Sequence, residues 1–76
     1  MNDERRKNLE DAKKQLQEAQ SIIDAVKGEE EEALGNLPEN LQEGERGERM
    51  QEDIAMLEEI DGQIEEALDK LEDVLS

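Results

Sequence analysis

Carboxylates are the only side chains here plentiful enough to suggest chemistry. The 76 residues include 24 Asp or Glu against 9 Lys or Arg, with no His, Cys, Phe, Tyr or Trp. Three arrangements stand out. Acidic pairs recur every seven residues as Glu58-Glu59, Glu65-Glu66 and Glu72-Asp73. Four consecutive acids occupy Glu29–Glu32, and Asp61 stands alone in an apolar repeat. Paired carboxylates on helices can bind metals, but helical di-iron sites take Glu-x-x-His and the chain has no His. A calcium loop aligned on Gly62 would put Leu57 and Leu68 at its first and last ligand positions, which apolar side chains cannot fill. The Glu29–Glu32 run superficially resembles the Mg²⁺-binding glutamates of helical nucleotide pyrophosphatases, without the basic and aromatic groups that would hold phosphates and a base. Ser21 and Ser76 have no His or Cys to activate them. No enzyme and no cofactor or metal are expected.

What must position these acids is a pair of helices. Met50, Ile54, Leu57, Ile64, Leu68, Leu71 and Leu75 follow a heptad, and Asp61 occupies one of its seam positions. Leu9, Ala12, Leu16, Ala19, Ile23 and Val26 are spaced 3, 4, 3, 4, 3, a second seam, which extends through Glu30 and Ala33 to Leu37. Gly35-Asn36 and Pro38 end the first helix, and Gly44 can cap the second. The expectation is an all-α chain with one domain over 1–76: a helix at about 3–34, a connection at about 35–44 and a helix at about 45–75. Gly28 is a weak point of the first helix, with a break there as the alternative. Leu37 and Leu41 are read as closing the open end of the pair. Matching lengths and a short connection predict an antiparallel two-helix hairpin of coiled-coil type. Folding back at residue 39 or 40 sets Leu9 against Leu71, Leu16 against Ile64 and Ile23 against Leu57. Asp61 then faces the segment Gln15–Ala19, within reach of Gln15 or Lys14, as a polar residue that fixes register. Two helices give a thin core, so self-association into a helical bundle is expected, with Ile22, Met56, Ile60 and Val74 flanking the seam.

The segment Leu37-Pro38-Glu39-Asn40-Leu41-Gln42-Glu43-Gly44-Glu45-Arg46-Gly47-Glu48-Arg49-Met50, followed by Leu57-Glu58-Glu59 and Ile64-Glu65-Glu66-Ala67-Leu68-Asp69, resembles a family of small acidic proteins of Gram-positive bacteria and their phages and prophages. Its Pro38–Gln42 connection is the most specific part, and the resemblance covers about half the chain. Gly44 stands where that family has a Ser cap, and Asp61-Gly62 interrupts the repeat. The resemblance implies the hairpin and a bacterial or phage source. It implies no activity.

Charge narrows the partners. The net charge is −15, and residues 1–28 sum to zero, so all of it belongs to residues 29–76. Direct binding of nucleic acid or an anionic membrane, which depends on Lys and Arg, is excluded as an expectation. No apolar run approaches the ~20 residues of a membrane span, and the charged N-terminus lacks the apolar stretch of a signal peptide. A cytoplasmic protein is expected. The candidate partner-binding face is Glu52, Asp53, Glu58, Glu59, Glu65, Glu66, Glu72 and Asp73, with Asp61 as the polar seam residue. The function read from these features is a non-enzymatic protein–protein interaction module, whose partner could present a basic surface. The alternative is a phage-type nucleic-acid mimic that blocks a nucleic-acid-binding defence or regulatory protein.

Overall fold

The computed structural model describes all 76 residues and is entirely helical. Helix α1 runs Asp3–Gly35, α2 is the single turn Glu39–Gln42, and α3 runs Glu45–Leu75. The molecule is a rod of 58 × 15 × 14 Å. No helix is long and apolar enough to cross a membrane.

Local signals explain the helix ends. Asn2 in extended conformation accepts a hydrogen bond from the Arg5 amide, and Asp3 and Glu4 stand in the first turn, where acid complements the helix dipole. Helix α1 passes through Gly28 without a break. A Cβ at Gly28 would meet nothing, so that glycine costs helix propensity without serving a contact. The helix stops at Asn36 in right-handed geometry, its amide donating to Glu32. No residue adopts positive φ, so Gly35 ends nothing by itself; Pro38, with extended ψ, does.

Helices α1 and α3 lie side by side along the rod. Their contacts descend in order: Arg6 donates to the Leu75 carbonyl, Lys13 Nζ is 2.8 Å from Glu72 Oε1, and Gln20 Nε2 is 2.9 Å from Glu65 Oε2. Residues early in α1 thus meet residues late in α3. This pairing lies about one turn further along α3 than the sequence suggests. The cause is α2. Its turn packs on the start of α3, where buried Gly47 lies against the Gln42 backbone. The chain therefore reverses at Glu43-Gly44 rather than at residue 39 or 40. A Cβ at Gly47 would fall 2.1 Å from the Gln42 carbonyl oxygen, so only glycine permits this approach.

The apolar seam of α3 is as its spacing foretells: Met50, Ile54, Leu57, Asp61, Ile64, Leu68, Leu71 and Leu75 all turn inward. On α1 the seam follows Leu9, Leu16 and Ile23, then steps to Lys27, Glu30, Leu34 and Leu37. Val26 and Ala33 face outward instead. Ala12 and Ala19 are half-buried as expected, flanked by the equally half-buried Arg6, Lys13 and Gln20, and beyond Ile23 the row Lys27 and Leu34 replaces Val26 and Ala33 at the interface. The small alanines leave room at the seam edge, and long polar side chains cover it with their stems, Lys13 and Gln20 reaching acids on α3 and Arg6 the Leu75 carbonyl. Leu37 is half-buried, whereas Leu41 is 43% exposed and closes little. Among the large apolar residues only Leu68, 8% exposed, is buried. Two helices can cover no more than one stripe each.

Candidate acidic interface

The acidic pairs of α3 straddle two sides of the rod. Successive residues stand 100° apart on a helix, so the two members of a pair cannot share a face. Glu65 and Glu72 are turned toward α1, where Gln20 and Lys13 hold them. Glu58 falls on the same heptad row, near Asp61. Together with Arg6, Lys13, Gln20 and Lys27 these residues form a polar ladder along one edge of the seam, seven residues per rung. The Lys13 and Glu72 charges are matched: their hydrogen bond and attraction raise the Lys13 pKa and lower that of Glu72.

The second members behave differently. Glu52, Glu59, Glu66 and Asp73 lie opposite the seam, and Glu45 extends their row. All five are exposed, at strict seven-residue spacing, about 10 Å apart along the axis. Of these only Glu66 has a cation within ion-pair distance, Lys70 at 3.4 Å on the same helix. Asp53 belongs to neither row. It is half-exposed and held by Arg49 at 3.3 Å, one turn earlier. The eight acids expected to form one face are thus divided: four make a free outer row, three line the seam edge, and Asp53 lies on the remaining side.

That remaining side carries little charge. Opposite the ladder, α1 presents positions 12, 15, 19, 22, 26, 29 and 33, and α3 presents 53, 56, 60, 63, 67, 70 and 74. Glu29, Asp53 and Lys70 are the only charged residues among them, in a chain that is 43% charged, and Arg5, Arg46 and Arg49 continue the same rows toward the two ends. Ile22 and Met56 here are 64% and 61% exposed.

Asp61 occupies the seam, but its neighbours are Asp24 and Lys27, not Gln15 or Lys14. The shifted register brings these residues to it. Its Oδ1 is shielded from water and receives no hydrogen bond. A hydrogen bond to the facing Asp24 carboxylate requires a proton on Asp61, which then donates. That shared hydrogen bond, desolvation and the repulsion of Asp24 and Glu58 raise the Asp61 pKa, and Lys27 opposes them in part. The Glu29–Glu32 run lies in the last two turns of α1 with no ion pair to relieve it.

Nothing in this arrangement gathers three or more His, Cys, Asp or Glu into a metal-sized cluster. The two concavities are shallow and open, one over Glu45, Arg46, Glu48, Arg49 and Glu52, the other beside Lys14, Gln17, Glu18, Ser21 and Ile22. The ladder was detectable in the sequence as Arg6, Lys13, Gln20 and Lys27, seven apart, but polar residues at heptad spacing do not announce which side of a seam they take. Gly47 and Asp24 had no comparable signal, since their roles depend on register. No protein-family model matches the chain, and no curated protein or solved structure is significantly similar to it.

Proposed function

We propose that the chain is a non-enzymatic protein–protein interaction module: an antiparallel two-helix hairpin that displays a rigid acidic row to a basic partner. The observation that carries this reading is the outer row of Glu45, Glu52, Glu59, Glu66 and Asp73. Solubility needs charge but no order. This row is periodic, fully exposed and almost free of internal cations, while the acids beside it are consumed by the ladder. A partner with Lys or Arg at matching intervals would gain attraction at every rung and would be steered from a distance. No His or Cys accompanies the carboxylates, and no enclosed cavity surrounds them. The proposed setting is the cytoplasm.

The charge per unit length favours one more specific form of this reading. A net charge of −15 on a 58 Å rod is about one negative charge per 4 Å, against one per ~3.4 Å along a single DNA strand. A protein with a groove for nucleic acid would meet a similar field, as expected of a mimic that occupies that groove.

The test is capture from a bacterial lysate with immobilised wild-type chain and with a variant carrying Glu52→Gln, Glu59→Gln, Glu66→Gln and Asp73→Asn. A specific protein retained by the first, released by salt and missing from the second supports the module. If that protein binds nucleic acid and the chain displaces its oligonucleotide, the mimic is the correct form. Equal retention by both chains refutes a role for the acidic row.

A further inference from the structure

The weakly charged side of the rod is the feature the acidic row leaves unexplained. A hairpin with one buried large apolar residue lacks the core that holds a small domain together. The cover for its exposed Ile22, Val26, Met56 and Ile60 must therefore be present whenever the chain is folded. A second copy meets that condition. We propose that two copies pack through this side, related by a twofold axis perpendicular to the rod, so that α1 lies on α1 and α3 on α3 of the partner.

The shape of the strip favours that axis. Its bulky residues lie toward the α2 end, Val26 level with Ile60 and Met56 beyond. Its small ones lie toward the other end, Ala19 level with Ala67. A perpendicular twofold near Ile22 reverses one rod against the other. Val26 then meets the partner's Ala19, and Ile60 meets the partner's Ala67. Large side chains enter spaces left by alanines, as interdigitated layers require. The same operation brings the partner's Asp53 to within about one turn of Lys70, an attraction added to the ion pairs that Asp53 and Lys70 already make on their own helix. A twofold parallel to the rod would instead stack Val26 on the partner's Ile60 and Ala19 on the partner's Ala67, crowding one layer and leaving a gap in the next. The strip runs about 32 Å, from position 12 to 33 at 1.5 Å per residue, on a rod 15 Å wide, about 480 Å² in projection; the ~800 Å² per partner of a standard interface is reached only if the contact continues toward the rod ends. Depletion of charge at the centre of the strip is the composition such interfaces show. The outer acidic row and the ladder remain outside the contact.

Sedimentation equilibrium on the full chain should give a dimer, with Ile22→Glu and Ile60→Glu each weakening association at least tenfold. Glu59→Gln, on the outer row, should not weaken association, so failure here is distinct from failure of the acidic row to bind its partner. A monomer at all concentrations, with a melting temperature independent of concentration, overturns the proposal whether or not the variants fold. The axis is read separately. The chain has no cysteine, so a nitroxide on Lys7→Cys labels one exposed site per copy. The perpendicular axis places the two labels roughly 45 Å apart along the rod, 31 residues at 1.5 Å each. Labels at the same end, within about 25 Å across a bundle of helices 10–12 Å in diameter, would overturn the perpendicular arrangement.

Discussion

Asp61 shows how one residue can be located by sequence and misjudged in its surroundings. Its place in the seam follows from the heptad, but its neighbour across the seam depends on where the chain reverses. With Asp24 opposite, its carboxyl has a raised pKa in the folded chain. A raised acid favours folding when protonated, so its contribution is full below the unfolded value near 3.8 and is lost as pH rises through the folded value. Asp61→Asn should therefore melt higher than wild type at pH 7, with the difference shrinking as pH falls toward 4. Thermal melts across that range would read it, and a constant difference would contradict the carboxyl pair. The Glu72 carboxylate works in the opposite sense. Its pKa is lowered by Lys13, and its contribution is lost as pH falls through that lowered value.

The glycines divide by the space around them. Gly47→Ala puts a methyl into the Gln42 backbone and should destabilise by about 1–3 kcal/mol, the usual range for overpacking. Gly28→Ala and Gly62→Ala meet open space within helices and should each stabilise by about 0.5–1 kcal/mol. Chemical denaturation of the three variants separates the cases. Sequence alone marks Gly28 as a helix weakness and cannot tell Gly47 from it, because a close approach of two backbones leaves no trace in composition.

At the scale of elements, the legible part is the part with strong periodicity. The two long helices, their limits and the inward row of α3 follow from apolar spacing and from Pro38. The α1 seam is legible only as far as Ile23, because beyond it Val26 and Lys27 compete for the inward position, and hydrophobicity picks the wrong one. Lys27 takes that position within attraction of acidic Asp61, a fact of pairing and not of helix pattern. The acid pairs were legible as pairs but not as two rows with different fates. Helix α2 decides the pairing: packed on α3, it moves the reversal toward Glu43-Gly44. Replacing Leu68 by Ala, at the most buried position of α3, should cost about 2–4 kcal/mol and lower helix content at fixed temperature. Replacing exposed Leu41 by Ala should cost less than 1 kcal/mol. Urea titration followed by circular dichroism would rank them, and equal costs would contradict the assignment of the core to the seam.

For the whole molecule, three longitudinal sides with three chemistries emerge from one heptad sequence: a polar ladder, an outer acidic row and a weakly charged flank. Net charge of −15 makes self-association electrostatically unfavourable, while attraction to a basic partner is favourable, so salt should strengthen the first and weaken the second. The most direct measurement of the central claim compares two neutralised chains in the same capture experiment. One carries Glu→Gln at Glu52, Glu59 and Glu66 with Asp73→Asn; the other carries Glu→Gln at Glu58, Glu65 and Glu72. The outer-row chain should keep its helix content and lose the salt-sensitive partner, while the seam-edge chain should retain it. Equal retention by the two chains, or loss confined to the seam-edge chain, would contradict the assignment of partner binding to the outer row.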